Sequence, residues 1–354
     1  MLFYLTLVIC FFAAILLTPL VKMFAFKIGA TDKPNKRKVH SKIMPRLGGL
    51  AIYLSFLIGV LIFKPAGEFH LPIMLGAFII ILTGMLDDVK EISPKVKLAG
   101  QVAAAAIVVI YGGLNIEFIK LPFGGTIDFG YFSVPLTMIW IIGITNAINL
   151  IDGLDGLAGG VSSIALLTIG GMSIVMGNSY VTIMAFIVTA ATIGFLFYNF
   201  HPAKIFMGDT GALFLGYIIS VLSLLGYKNV TFISLVIPVI ILGVPISDTF
   251  FAIIRRLVNK QPLSAPDKSH LHHCLLKAGF SHRQTVLLIY AMAAIFGLVA
   301  FIFSQATVWG SVMVILVLLI IIELFVEKIG LVREDYKPLL KFIKGFKPIN
   351  LRNR

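Results

Sequence analysis

Residues 156–203 read GLAGGVSSIALLTIGGMSIVMGNSYVTIMAFIVTAATIGFLFYNFHPA, forty-eight consecutive positions without an Asp, Glu, Lys or Arg. A bilayer core is about 30 Å thick and a helix rises about 1.5 Å per residue, so one span takes about 20 apolar residues. The run is too long for one span, and the turn-like Gly177-Asn178-Ser179 divides it into two. Charge-free runs at 1–21, 47–63, 69–86, 98–116 and 129–151 precede it. Residues 210–227, 229–254 (with Asp248 as its one charge) and 284–322 follow, the last splitting near Ser304-Gln305-Ala306-Thr307. The expectation is an all-α polytopic membrane protein of about eleven transmembrane helices. The first run has no basic start, exceeds an ordinary signal-peptide core and is followed by Lys22 and Lys27, so it reads as a span.

Composition agrees. Of 354 residues 59% are hydrophobic and 13% charged, and mean hydropathy is +1.01. Soluble domains carry about 25% charged residues. This chain cannot cover a water-facing surface, which excludes a soluble enzyme, a disordered chain and a disulfide scaffold. The two cysteines, Cys10 and Cys274, form no CxxC and suggest neither a disulfide nor a metal site.

The net charge is +13. With eleven spans, one side holds segments 22–46, 87–97, 152–155, 204–209, 255–283 and 327–354. That side carries 26 of the 29 Lys and Arg, and the other only Lys64, Lys120 and Lys228. The asymmetry predicts the N-terminus outside and the C-terminus in the cytoplasm of a multi-pass plasma-membrane protein. The basic excess is therefore topological and implies no nucleic-acid partner. Residues 327–354 read as a basic tail near anionic lipid, and 1–326 as one integral membrane domain. Outside, Asn115-Ile116-Glu117-Phe118 and Thr126-Ile127-Asp128-Phe129 alternate around Gly124-Gly125, predicting a small external β-hairpin near 114–131.

Eleven of the sixteen acids fall in the cytoplasmic segments. Asp87-Asp88 ends a span directly, Asp152 and Asp155 lie in the apolar run Asn146–Gly156, and Asp209 opens a span. Carboxylates at a membrane boundary are costly unless paired, solvated or bound to a cation. Oxygen donors gathered on one face suit a hard divalent ion such as Mg²⁺, which binds one or two carboxylates plus substrate phosphates. Gly153, Gly156, Gly208 and Gly211 flank the acids and would let a ligand approach backbone N–H groups. Each Asp could alternatively cap a helix, a reading that suits single residues better than the set. The loop Asp267-Lys268-Ser269-His270-Leu271-His272-His273 admits three readings: zinc ligation, phosphate and sugar recognition, or a plain polar loop. Without HExxH or a second histidine cluster, zinc is the weaker one. Gly48-Gly49 reads as a flexible helix start, with close approach as the alternative. Asn199 and Lys204 read equally as boundary anchors or ligand contacts.

Five segments together resemble the polyprenyl-phosphate N-acetylhexosamine-1-phosphate transferases, the glycosyltransferase family 4 type. They are Lys38-Val39-His40 through Gly48-Gly49; Asp87-Asp88 through Leu98; Asn146 through Ala158; Tyr198 through Gly211; and Asp267 through His273. The spacing His270-x-His272-His273 and the runs Tyr198–Asp209 and Ile253-Ile254-Arg255-Arg256 are similar to the TagO/TarO-like (WecA-like) enzymes of Gram-positive bacteria. The resemblance implies transfer of GlcNAc-1-phosphate from UDP-GlcNAc to undecaprenyl phosphate with Mg²⁺ (Mn²⁺ as substitute) and release of UMP, the first membrane step of wall teichoic acid linkage-unit or other surface-glycan synthesis. It implies an active face built from loops 22–46, 87–97, 145–157, 200–210 and 255–283. Asp209 then matches the metal-binding Asp, Asp87 the residue that deprotonates or orients the lipid phosphate, and Asp88 its support or a metal ligand. Asp152 and Asp155 match acids near nucleotide and metal. Asn149, Asn199 and Phe206 match the nucleoside pocket, where the Phe206 ring can stack on uracil. His270, His272 and His273 match a motif near diphosphate and sugar, with His272 in the catalytic set, which sets the zinc reading aside. Lys97 and Lys204 are the expected phosphate contacts. Membrane lipid is an expected partner and a second copy of the chain a candidate one.

Two other functions stay in view. Phospho-MurNAc-pentapeptide transfer would use the same machinery on another donor. A cation-coupled transporter would place ionisable groups at the bilayer midplane, whereas only Asp248 and Glu323 depart from the rim here. Pro238, Gly243 and Pro245 predict a bend in the ninth span.

Overall fold

The computed structural model describes residues 1–32, 43–121, 124–227, 232–262, 269–329, 331 and 337–345. The Lys38-Val39-His40 segment, Asp267 and much of the basic tail lie outside the described residues.

Every run expected to span folds as helix. In order these are α1 (Leu2–Ile28), α2 (Gly48–Phe63), α3 (His70–Lys90), α4 (Pro94–Ala106, continuing through a wider π turn, Ile107–Tyr111), α5 (Ser133–Ile151), α6 (Leu157–Val175), α7 (Ser179–Asn199) and α8 (Gly208–Tyr227). Then come α9 (Phe232–Ile241), α10 (Gly243–Val258), the short α11 (Leu271–Lys277), α12 (His282–Gln305), α13 (Val308–Ile329) and α14 (Pro338–Gly345). Among the described residues nine are long and apolar enough to cross a membrane. The α9–α10 pair, bent by 83° where the Pro and Gly residues predict a break, makes a tenth, while α2 is a shorter apolar helix. The protein is thus an all-α polytopic membrane protein. Helices suit this solvent because each satisfies its own backbone groups.

Local chemistry sets the helix ends. Ser93 accepts the Val96 N–H, with Pro94 at the first helical position. Asn178 caps α7 through the Val181 N–H (3.2 Å), so the split at Gly177-Asn178-Ser179 is a helix start. Ser281 and Gln284 form a capping box on α12. The predicted hairpin pairs Phe118, Ile119 and Lys120 (β1, Phe118–Lys120) with Asp128, Ile127 and Thr126 (β2, Thr126–Asp128). Gly124 and Gly125 supply the positive φ of its turn.

Helix α8 is the most buried span and α13 the least. α8 packs on α2, α3, α5 and α6, so its N-terminus opens at the middle of the bundle. Small residues permit that approach: a Cβ on Gly49 would lie 2.0 Å from the Gly211 nitrogen, and one on Gly84 would lie 2.5 Å from Thr210 Cα. Gly48-Gly49 is therefore a close-approach site as well as a helix start. α13 runs through residue 326, the expected domain boundary, and Glu327 accepts the Leu339 and Leu340 N–H groups (2.6 and 2.7 Å), tying α14 back to the bundle.

Candidate active site

The centre of the site is where α3 ends against the start of α8. Asp88, buried at 3% exposure, accepts the backbone N–H of Asp209 (2.9 Å), the N–H of Thr210 (3.0 Å) and the Thr210 hydroxyl (2.6 Å). It caps α8 from a distant part of the chain, where the helix dipole favours a negative charge. Arg46 Nε lies 3.6 Å from the same carboxylate. Burial works against the Arg46 charge, but Asp88, then Asp209, Asp32 and Glu91, outweigh it and raise its pKa. Gly208 has φ +72°, and a Cβ there would sit 2.4 Å from Asp88 Oδ2, so both conformation and space require glycine.

With α8 so placed, Asp209 faces α4 and α5. Lys97 Nζ bridges Asp87 Oδ2 (3.2 Å) and Asp209 Oδ2. Asn149 donates to Asp209 Oδ1 (2.9 Å). One turn deeper, Gln101 and Asn146 exchange reciprocal amide hydrogen bonds (3.3 and 2.6 Å). Gln101 follows Lys97 by four residues on α4 and Asn146 precedes Asn149 by three on α5, so the pair clamps the two helices that deliver Lys97 and Asn149.

The loop after α5 brings Asp152 alongside. Burial, then the negative charges of Asp209 and Asp88, pushes the Asp152 carboxyl up to about 7. The histidine loop closes over it: a Cβ on Gly153 would lie 2.3 Å from His272 Nε2. Burial, then the neighbouring His273, depresses His272 to about 3, so this imidazole is neutral near pH 7. Its ring lies 4.2 Å from that of His273 and is parallel to that of His270 at 6.1 Å. His270 is held by Asp248, which meets its Nδ1 at 2.8 Å and accepts the Leu271 N–H at 2.7 Å.

The remaining expected residues engage other partners. Asp155 binds His201 Nδ1 (2.8 Å) and the Ala203 N–H (3.1 Å). Asn199 is buried with both ends of its amide on backbone, accepting from Gly156 (3.1 Å) and donating to Ile205 (3.0 Å); it braces two loops where a nucleoside contact is expected. Lys204 is exposed, 5.6 Å from the Tyr198 ring centroid. Phe206 is pinned by its backbone, its N–H to Pro45 (2.9 Å) and its carbonyl to Gly48 (3.0 Å), with its ring half-buried. Asp88, expected as a metal ligand, instead spends its oxygens on α8. The flanking glycines correct another expectation: Gly208 and Gly211 fit protein against protein, and Gly153 fits the His272 ring.

With every carboxyl ionised, as a bound cation would favour, Asp87, Asp88, Asp152 and Asp209 face two cations, Arg46 and Lys97, leaving two negative charges, the complement of one divalent ion. Around Asp209 the donors are carboxylate and amide oxygens, two of them already bridged by an ammonium, while the nearest nitrogen donor, His272 Nδ1, is buried without a hydrogen-bond partner on the histidine loop. This donor set fits Mg²⁺. Arg46, Gln101, Asn146 and Asp248 are contributors that sequence reasoning missed. Asp248 carried a signal, an acid within an apolar run, which read as a departure from the rim pattern.

Comparison with known proteins gives the family. Residues 70–227 match the model of glycosyl transferase family 4. Over 340 residues, 95% of either chain, the sequence is 52% identical to the Bacillus subtilis (strain 168) protein named "Probable undecaprenyl-phosphate N-acetylglucosaminyl 1-phosphate transferase". It is 33% identical over 86% of its length to the decaprenyl-phosphate N-acetylglucosaminephosphotransferase of Mycolicibacterium smegmatis, covering 84% of that protein. It is 30% identical over 77% of its length to the undecaprenyl-phosphate alpha-N-acetylglucosaminyl 1-phosphate transferase of Escherichia coli (strain K12), covering 76% of it. With its acids gathered at the start of α8 and these relatives along most of its length, the chain belongs to the polyprenyl-phosphate N-acetylglucosamine-1-phosphate transferases of glycosyl transferase family 4.

Proposed function

We propose that this enzyme transfers GlcNAc-1-phosphate from UDP-GlcNAc to undecaprenyl phosphate at the cytoplasmic face of the plasma membrane, the N-terminus lying outside and the C-terminus inside. An oxygen of the lipid phosphate bonds to the β-phosphorus, the bond from that phosphorus to the bridging oxygen breaks, and UMP leaves. The product, undecaprenyl-diphospho-GlcNAc, primes a wall teichoic acid linkage unit or another surface glycan. The observation that carries the reading is the Lys97 bridge between Asp87 and Asp209. It is a cation among carboxylates at the end of an apolar bundle, where a membrane-held phosphate and a nucleotide diphosphate can meet.

Such a transfer needs positioning and charge compensation more than a reactive cofactor. Asp209, Asp87 and Asp152 would hold Mg²⁺, which supplies neutralisation of the gathered phosphate charge. Asp87 orients the lipid phosphate and takes its proton. Lys97 turns from the carboxylates to a phosphate oxygen. His272, being neutral, contributes a hydrogen bond near the sugar, and Asp248 fixes the loop that carries it. A two-step route with Asp as nucleophile is the competing mechanism. Single-turnover reaction with UDP-GlcNAc radiolabelled in its β-phosphate separates the two. Label on the protein before lipid phosphate is added supports the two-step route, and Asp87→Asn with near-normal turnover at every pH sinks the base role.

A further inference from the structure

A second cluster of ligating side chains lies outside the cation-bridged carboxylates. Asp155 ends the loop after α5, His201 follows α7, and His282 opens α12. One donor atom from each lies within 4.8 Å of the others. The His201 and His282 rings stack at 4.0 Å and 22°. Asp155 is oriented by the Ala203 N–H (3.1 Å), and the backbone of His201 is anchored by Arg283 (3.2 Å). The Tyr290 hydroxyl donates to the Gly156 carbonyl (2.5 Å), holding α12 against the loop that carries Asp155. His282 Nε2 is buried and has no hydrogen-bond partner, an uncompensated polar atom on one of the three ligating side chains.

We infer that Asp155, His201 and His282 form a binding site for a borderline transition cation of the Zn²⁺ class, separate from the oxygen-donor site at Asp209. Two imidazoles and one carboxylate select such ions, whereas Mg²⁺ prefers oxygen alone. Donors at about 2.0–2.2 Å from Zn²⁺ stand about 3.5 Å apart in a tetrahedron, so the cluster closes by side-chain adjustment. Three protein ligands leave a fourth position for water or an anionic oxygen. The Ala203 N–H and Arg283 are the outer contacts that such a site needs to fix its ligands. Because the ligands come from three elements, the ion would tie α12 to the loops bearing Asp152 and Phe206.

The test is metal loading of the full-length, tag-free protein in detergent, without Mg²⁺ or substrates, so it does not depend on the transferase reading. Co²⁺ is titrated and followed by its visible ligand-field absorption. The expected result is one strongly absorbing, tetrahedral Co²⁺ per chain, distinct from the weak absorption of any Co²⁺ that enters the oxygen-donor site at Asp209. His201→Gln and His282→Gln should weaken binding by at least the roughly 10–100-fold that outer-contact changes cost, and His272→Gln should leave it unchanged. In parallel, Zn²⁺ should raise the thermal midpoint of the wild type and of His272→Gln, but not of His282→Gln. Should one histidine variant fail to fold, the other and the midpoint shift still decide. No stoichiometric binding, binding that survives both substitutions, or binding lost only in His272→Gln would overturn the inference.

Discussion

Replacing Lys97 with Met removes the one ammonium between Asp87 and Asp209. The local balance then changes from two net negative charges to three. A unit charge about 4 Å away at an effective dielectric of about 20 is worth about 4 kcal/mol. The Lys97, Asp87 and Asp209 side chains keep 18%, 12% and 17% of their exposure, and solvent screening lowers that to about 1.5–3 kcal/mol. Lys97 therefore competes with Mg²⁺ for the same oxygens, and Lys97→Met should bind the ion about 10–100-fold more tightly. Turnover should fall by on the order of 100-fold, because a group that meets the transferring phosphates is lost. Lys97→Arg keeps the charge and should keep metal affinity close to that of the wild type. The assay is Mn²⁺ binding by electron paramagnetic resonance, with Mg²⁺ as competitor, alongside UMP release. Unchanged or weaker metal affinity in folded Lys97→Met would refute the view that ammonium and metal share one site.

Other predictions concern packing and pH. Gln101→Leu leaves Asn146 Oδ1 without its donor, while Nδ2 keeps the Ile142 carbonyl, and should cost about 1–3 kcal/mol, read as a lower thermal midpoint in detergent; adding Asn146→Leu should restore part of it. Gly49→Ala drives a methyl into the α8 backbone and should destabilise by several kcal/mol, as overpacking does at its upper range, with UMP release lost alongside. The raised Asp152 pKa means that the folded state holds this proton more tightly than the unfolded chain. In metal-free buffer its contribution to stability therefore declines as pH rises from about 4, the unfolded value, through about 7. Asp152→Asn, neutral throughout, should show a midpoint advantage that grows over that window and levels off above it. Saturating Mg²⁺ should shrink the advantage.

Apolar runs, turn residues and the distribution of Lys and Arg were enough to delimit the helices, because span length and charge are local properties of a chain in a bilayer. The hairpin was legible for the same reason, its alternation and Gly124-Gly125 being contiguous. Asp87 and Asp209 stand out as acids at helix ends, Lys97 and Asn149 enter with the family resemblance, and the structure brings these four together. Their wiring was not legible. Helices apolar on every side do not declare which face turns inward, so the Asp88 cap on α8, the Gly49–Gly211 approach and the Asp248–His270 pair depend on packing between distant segments. Glycines beside acids looked like room for a ligand but accommodate neighbouring helices and a histidine ring. Asn199 looked like a ligand contact for a similar reason: a polar residue at a boundary gives no sign of whether backbone already occupies it.

The central claim is that one carboxylate-rich site at the start of α8 moves a GlcNAc-1-phosphate unit onto a lipid phosphate. The most direct measurement is UMP release by the purified protein with Mg²⁺ and undecaprenyl phosphate, supplied with either UDP-GlcNAc or UDP-MurNAc-pentapeptide. The account predicts UMP from UDP-GlcNAc alone, abolished by Asp209→Asn. No UMP from either donor, or UMP only from the pentapeptide donor, would contradict it.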